Sequence, residues 1–300
     1  MNPCNLLVVL GPTASGKTRL GVELARRLGG EILSADSRQV FRGMDLGSGK
    51  DLAEYGEVPY HLIDIREAGG EFSVFDFQQA FWAAFADICA RGRLPVLVGG
   101  TGLYLDAVLR GYRLKEVPEN PRLRAELADL DGAALSARLQ RLRPAQHNTT
   151  DLLERERLVR AIEIAEGEKA VASALPPLPE IHPLVFGLRW ERALLRARIA
   201  RRLRERLAQG LVEEVARLHA AGIPWERLDY YGLEYRFIAR HLRGQLSHAD
   251  MERQLAVAIG QFAKRQETFF RRMERQGVVV HWLDGAGDVL GQALAHLNPG

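Results

Sequence analysis

Gly11-Pro-Thr-Ala-Ser-Gly-Lys17-Thr18 is the run of residues whose types and spacing most plainly do chemistry. It fits G-x-x-x-x-G-K-[ST], in which a glycine-rich loop curls backbone N–H groups around phosphate oxygens. Gly11, Thr13, Ala14, Ser15 and Gly16 supply that backbone, Lys17 adds charge at the distal phosphate, and the Thr18 hydroxyl is of the kind that ligates Mg²⁺. The ligand is therefore a diphosphate or a triphosphate. The loop alone does not say whether a phosphoryl group is transferred or a diphosphate departs. A nucleotide hydrolase usually carries an Asp after an apolar strand to help hold the metal. Here Pro95-Val-Leu-Val98 runs into Gly99-Gly-Thr-Gly102 with no carboxylate. Asp36 is the carboxylate that does follow a strand, and strand ends in such sheets point at the ligand crevice, so it should face the cleft of Lys17. Plainer readings stand beside these. Asp36 suits an N-cap or an Asx-turn, and Thr101 suits a cap for a helix over 102–110.

The elements that must position these groups follow from the apolar pattern. Asn5–Leu10 reads as a buried parallel strand, followed by the loop and a helix from Lys17 to Leu28 that Gly29-Gly30 stops. Glu31–Ala35 and Leu94–Val98 read as strands, with an amphipathic helix over Phe75–Arg91 between them. Such alternation predicts an α/β fold, a P-loop parallel sheet flanked by helices. From Leu114 to Leu175 the patterns are helical with no convincing strand, bounded by Pro118 and Pro121 on one side and Pro176, Pro177 and Pro179 on the other. This predicts an all-α insertion domain over 114–181, between the two parts of the core at 1–113 and 182–300. In the second part we expect a strand over Leu184–Leu188, long helices over 191–221 and 248–276, and a last strand over Val278–Leu283.

Composition sets the outer bounds. The net charge is only +3, with 47% hydrophobic and 26% charged residues, as in ordinary globular chains. Two distant cysteines, Cys4 and Cys89, give neither a metal-ligand spacing nor a disulfide framework, so a cytoplasmic setting is expected. Residues 1–10 lack a charged leader and a long apolar segment, so no targeting and no membrane span is expected. The basic residues cluster, first from Arg189 to Arg206 and then from Lys264 to Arg275. Solvated helix surfaces explain such runs, and so does a polyanion, either diphosphate or nucleic acid.

Five segments stand in the order and spacing of the tRNA dimethylallyltransferases (tRNA isopentenyltransferases), which this sequence resembles. They are Gly11–Thr18, Asp36-Ser-Arg-Gln-Val-Phe-Arg-Gly-Met-Asp-Leu-Gly47, His61-Leu-Ile-Asp-Ile65, Phe72-Ser-Val74 and Gly99-Gly-Thr-Gly-Leu-Tyr104. Arg157-Leu-Val-Arg-Ala-Ile-Glu163, Arg198-Ile199 with Arg202, and Ala263-Lys-Arg-Gln266 resemble later motifs of that family. The resemblance implies transfer of a dimethylallyl group from dimethylallyl diphosphate to N6 of the adenosine 3′ of the anticodon, position 37. Asp36 would then be the base near N6. Lys17, Thr18 with Mg²⁺, Arg198 and Arg202 would hold the departing diphosphate with the P-loop amides, and Thr101 would bond acceptor or donor. Asp36, Ser37, Arg38, Gln39, Thr101, Lys264, Arg265 and Gln266 would meet the tRNA, with Arg157 and Arg160 on the stem-loop phosphates. The family acts as a monomer.

The sequence departs from the family pattern at Tyr231-Gly-Leu-Glu-Tyr235, Ile259-Gly260, Phe269 and Glu156, all in the half that would bind the acceptor. Two other readings therefore stay open at this stage. One is prenylation of free AMP, ADP or ATP, and the other is a P-loop kinase of a small metabolite with Asp36 as base toward a hydroxyl.

Overall fold

The computed structural model describes residues 4–143, 155–170 and 177–297. Six parallel strands form one sheet: β1 (Leu6–Leu10), β2 (Gly30–Ala35), β3 (Tyr60–His61), β4 (Leu94–Gly99), β5 (Pro183–Arg189) and β6 (His281–Asp284), in the order β3-β2-β4-β1-β5-β6. β1 lies inside the sheet, with Leu10 in register with Gly99 on one side and Gly187 on the other. The chain leaves β1 toward one edge and later returns to fill the opposite side. The crevice at the carboxyl ends of β1, β2 and β4 is where such a sheet binds its ligand.

Alternation along the strands sorts the core into two layers, as period-2 side chains must. Leu6, Val8, Leu10, Leu33 and Leu97 point to one face, Leu7, Val9, Ile32, Val96 and Val98 to the other. The second face is covered by α1 (Lys17–Leu28), which ends at Gly29. The first face takes α2 (Val74–Ala90), started by a Ser73–Asp76 capping box, and α3 (Gly102–Leu109).

The chain divides into two compact units, Met1–Tyr112 with Pro179–Gly300, and Arg113–Leu178. The smaller unit contains α4 (Pro121–Leu127), α5 (Gly132–Leu142) and α6 (Arg155–Ala170), packed through Leu123, Leu127, Leu135, Leu139, Leu158 and Ile162. The expected helical segment also spans 144–154 and 171–176, which lie outside the described residues. At the heart of this unit, burial opposes the charge of Glu163. Hydrogen bonds from Arg124, the Asn120 N–H and Arg160 outweigh it and hold the carboxyl down at about 2.

In the second part of the core the expected helix over 191–221 is two helices, α7 (Arg192–Ala208) and α8 (Leu211–Ala220). Gly210 breaks it with φ 100°, a left-handed conformation that apolar periodicity does not reveal. Then come α9 (Trp225–Tyr230), α10 (Leu233–Leu242), α11 (His248–Arg275) and α12 (Val289–Leu297). The last strand begins at His281 rather than Val278. Among the described residues no helix is long and apolar enough to cross a membrane.

Candidate active site

The floor of the site is the loop between β1 and α1. Ala14 at φ 62° and Gly16 at φ 90° are left-handed, the kind of conformation by which a loop forms an anion-binding concavity. Distant side chains fasten it from outside. Gln266 of α11 accepts from the Thr13 N–H at 2.8 Å and donates to the Gly100 carbonyl at 2.8 Å. A Cβ at position 100 would stand 2.5 Å from that Gln266 amide nitrogen, so a larger residue there would displace the Gln266 amide from its place. Arg198 of α7 donates to the Ala14 carbonyl at 2.9 Å, Trp190 donates to the Ser15 carbonyl at 3.0 Å, and the Arg202 guanidinium bonds the Thr13 hydroxyl. These bonds occupy the Ala14 and Ser15 carbonyls, while the Thr13 and Ser15 N–H groups are taken by Gln266 and the Pro12 carbonyl.

Above this floor lies a cleft of about 210 Å³. Lys17, Thr18, Asp36, Asp51 and Arg202 line its polar side, and Tyr231, Leu233, Ile259 and Phe262 line a largely apolar roof that also carries Glu234. Burial lowers the pKa of Lys17 to about 8, against the pull of Asp36 and with repulsion from Arg202 and Arg206. Burial, then Arg206, pushes Arg202 down to about 10. Burial pushes the Glu234 carboxyl up. A pocket that raises the energy of its own cations is one prepared for a polyanion.

The two plainer readings fare differently. Asp36 does form the Asx-turn, accepting from the Arg38 N–H at 2.9 Å, and it also lines the cleft. Thr101 precedes α3 but makes no side-chain cap bond. Its hydroxyl instead accepts from the Ser37 N–H at 3.1 Å, tying together the ends of β2 and β4 beside Asp36.

Other candidates fall in three places. Ser37, Arg38, Gln39 and Gln266 join the cleft lining. Arg38 donates to the Tyr230 carbonyl at 3.1 Å, its guanidinium 5.2 Å from the Tyr230 ring centroid. Gln39 accepts from the Ser34 hydroxyl at 2.8 Å and donates to the Gly49 carbonyl at 3.0 Å, so like Gln266 it fastens backbone. Lys264 and Arg265 are exposed on α11 and do not line the cleft. Arg157 and Arg160 belong to the smaller unit, where Arg160 pairs with Glu163 at 3.1 Å and donates to the Val117 carbonyl at 2.7 Å.

Sequence reasoning passed over two groups. Arg206 is buried, lines the cleft and pairs with Asp51 at 3.0 Å. Its signal was available, because Arg198, Arg202 and Arg206 repeat at helical spacing along one stripe of α7. Glu214, buried on α8, accepts from the backbone N–H groups of Asp45 (3.0 Å), Leu46 (2.7 Å) and Gly47 (3.0 Å) and from the Tyr235 hydroxyl (2.9 Å). It anchors the segment carrying Ser48, Gly49 and Asp51 into the cleft, and no local motif announces it.

A parallel sheet with a P-loop at an inner strand, a facing carboxylate and a partly apolar cleft defines a P-loop-fold transferase acting on a diphosphate or triphosphate compound. The profile of the family described as IPP transferase matches residues 39–273, and that of isopentenyl transferase matches residues 4–58. The chain is 69% identical to tRNA dimethylallyltransferase 2 of Syntrophotalea carbinolica over 96% of both chains. It is 63% identical to tRNA dimethylallyltransferase 1 of Geotalea uraniireducens, covering 97% of this chain and 96% of that one. The tRNA isopentenylpyrophosphate transferase of Bacillus halodurans superposes with a TM-score of 0.72 at 33% identity, over 98% of this chain and 95% of that one. A eukaryotic dimethylallyltransferase, captured acting on tRNA, shares the fold at a TM-score of 0.77 and 20% identity, over 98% of this chain and 78% of that one. The chain belongs to the IPP transferase family, the tRNA dimethylallyltransferases.

Proposed function

We propose that the protein transfers the dimethylallyl group of dimethylallyl diphosphate to N6 of the tRNA adenosine at position 37 and releases diphosphate. The observation that carries this reading is one cleft holding a carboxylate, a phosphate cradle and an apolar roof together. Adenine N6 forms a bond to C1 of the prenyl group as the bond from C1 to the diphosphate oxygen breaks. Asp36 accepts the N6 proton. Lys17, the P-loop amides and Arg202 stabilise the charge that develops on the departing diphosphate, and Arg198 both shapes the loop and adds to that field. The roof residues Leu233, Ile259 and Phe262 shelter the five-carbon group from water. Thr101 holds the Asp36 turn in place through Ser37. Exposed Lys264 and Arg265 face the tRNA, whose reacting base leaves its stack to enter the cleft. The helical unit with Arg157 and Arg160 grips the stem-loop. The enzyme works as a monomer in the cytoplasm.

The donor set fits Mg²⁺ in one way only. Among the described residues no cluster of three or more His, Cys, Asp or Glu is placed to cage a metal, whereas the Thr18 hydroxyl lines the cleft with Asp36 and Asp51. Mg²⁺ keeps several waters and prefers phosphate oxygens, so Thr18 would hold an ion that arrives with the diphosphate. Bound there, it would neutralise diphosphate charge.

The test offers the protein dimethylallyl diphosphate and Mg²⁺ with either unmodified tRNA or AMP, and weighs the adenine product. A prenyl mass gain on tRNA alone is expected. Gain on AMP alone would move the acceptor to a free nucleotide, and ATP consumption with no prenyl gain would favour a kinase.

A further inference from the structure

The three cations on the working stripe of α7 are held by three different kinds of partner. Arg206 pairs with Asp51 at 3.0 Å, and Arg202 bonds the Thr13 hydroxyl. Arg198 lines a recess of about 130 Å³ with Gly16, Lys17 and Thr18. Glu54 and Glu205 line it too, yet among the described residues no carboxylate pairs with Arg198. Its guanidinium carbon instead stands 4.2 Å from the centroid of the Trp190 ring, and its Nε donates to the Ala14 carbonyl at 2.9 Å. Among the described residues its terminal nitrogens make no hydrogen bond to protein, and Nη2 lies 3.7 Å from where a Gly16 Cβ would be. The guanidinium therefore sits beside the P-loop with donors to spare.

The kind of partner decides how much charge is left. A carboxylate fixes a guanidinium but offsets its charge, whereas an aromatic face attracts the cation through its quadrupole and leaves the charge whole. Burial, then the neighbouring Arg201, pushes the Arg198 pKa down, so an arriving anion relieves an existing strain on that cation. The ring is itself fixed. Trp190 follows β5 directly, and its indole N–H donates to the Ser15 carbonyl at 3.0 Å. The turn after β6 packs against it, since a Cβ at Gly285 would stand 2.2 Å from the indole nitrogen. The Gly285 N–H in turn donates to the Arg189 carbonyl at 2.7 Å.

We propose that Trp190 is a positioning residue for the transfer, its ring face holding Arg198 beside the P-loop, without neutralising it, for the diphosphate of the donor. The proposal rests on the prenyl-transfer reading. Trp190 lies far outside the phosphate-loop motif in sequence, so it adds to the cradle from beyond the residues that define it.

The experiment measures the dissociation constant of inorganic diphosphate and kcat/KM for dimethylallyl diphosphate in the wild-type chain, W190F, W190L, R198A and W190L/R198A. Both Trp190 variants lose the indole N–H, and only W190F keeps an aromatic face. W190L should worsen both quantities about tenfold, and W190F less than about threefold. In the R198A background W190L should add less than about twofold, because the ring then has nothing to hold. Equal losses in W190F and W190L, or losses in W190L and R198A that multiply, overturn the assignment. Should W190L fail to fold, the Trp190 emission decides, taken as wild type minus W190F. Inorganic diphosphate should shift that emission, and the shift should vanish when R198A is compared with W190F/R198A. A shift that persists there, or none in the wild type, overturns the assignment equally. A wild-type protein that shows the coupling yet prenylates neither tRNA nor AMP sinks the prenyl-transfer reading and leaves Trp190 holding Arg198 for another diphosphate. One that prenylates tRNA with uncoupled losses sinks the positioning role alone.

Discussion

The floor of the cleft and its roof are built by different means. The floor is one contiguous stretch, strand, loop and helix, whose working groups are mostly backbone N–H. The roof gathers Tyr231 and Glu234 around the start of α10 with Ile259 and Phe262 of α11. Tyr231 is fully buried, its hydroxyl donating to the Gly70 carbonyl at 2.9 Å and accepting from the Gly69 N–H at 2.6 Å. Tyr235 packs against Gly47 and donates to Glu214. A floor made of backbone is fixed by a motif. A roof made of side chains from separate helices can be rebuilt with different residues if the packing is rebuilt with it.

The sharpest way to break this division is at Asp36, which stands between the two parts. Asp36→Ala removes the proposed proton acceptor, and a positioned base is typically worth 10²–10⁴-fold. Single-turnover prenyl transfer should fall by about that factor while tRNA affinity stays near wild type. Because the carboxylate also closes the turn at Arg38, Asp36→Asn is the more telling variant: its amide oxygen keeps the turn but cannot take the proton. A slow enzyme with a normal turn is expected, and wild-type turnover in Asp36→Asn would remove Asp36 from the chemistry. Lys17→Ala comes next. One preorganised charge on the leaving diphosphate contributes roughly 10²–10³-fold, so the loss should appear in kcat more than in tRNA affinity.

The same division decides how much of the molecule was legible in its sequence. The strand before the loop, the glycine stop after α1 and the Asx-turn at Asp36 all depend on residues within a few positions of one another. Local pattern reveals them. Arg206 was half-legible, since its spacing from Arg202 puts it on the working stripe of α7, but its partner Asp51 comes from a loop. Glu214 was illegible, because three loop N–H groups meet it only after α8 packs beneath residues 45–47. Thr101 was legible as a site residue, but the plainer alternative of a helix cap does not hold, because its hydroxyl turns to the Ser37 N–H instead. In the fold, the break at Gly210 was hidden by apolar positions that continue in phase across it.

Glu214 tests the packed side of the comparison. Glu214→Gln keeps the shape but turns an N–H-bearing group toward three N–H donors and one hydroxyl. Leaving such buried groups unmatched costs about 2–3 kcal/mol. A lower denaturant midpoint at unchanged slope should accompany a raised donor KM, as Gly49 and Asp51 loosen beside Arg206. Unchanged stability would mean that the loop finds another anchor.

The floor predicts a pH dependence of its own. With Lys17 at about 8 in the free protein, its charge is present below that value and lost above it. Diphosphate binding must then bring a proton with it, so donor kcat/KM should fall toward tenfold per unit as pH rises past about 8. The stability consequence runs the other way. An unfolded lysine binds its proton up to about 10.5, so between about 8 and 10.5 the unfolded chain holds more protons and the folded state gains stability as pH rises. Asp36→Asn removes the neighbour that supports the Lys17 charge and should move the donor limb to lower pH. A limb that does not move would separate the two groups electrostatically.

The smallest effect is expected at Thr101, whose hydroxyl ties the ends of β2 and β4 together beside Asp36. Thr101→Ser keeps the hydroxyl that receives the Ser37 N–H and should behave as wild type. Thr101→Val keeps the shape and leaves that N–H without its acceptor, at a cost of about 1 kcal/mol and a several-fold loss of turnover through a looser Asp36 turn. Helix capping would give a different ranking, because Asn and Asp cap as well as Ser and should then rescue the position. Failure of Thr101→Asn beside a normal Thr101→Ser would show that the hydroxyl serves the end of β2 rather than α3. Equal rescue by both would return Thr101 to the plain role of a cap, and the bridge between the two strand ends would then have to lie elsewhere.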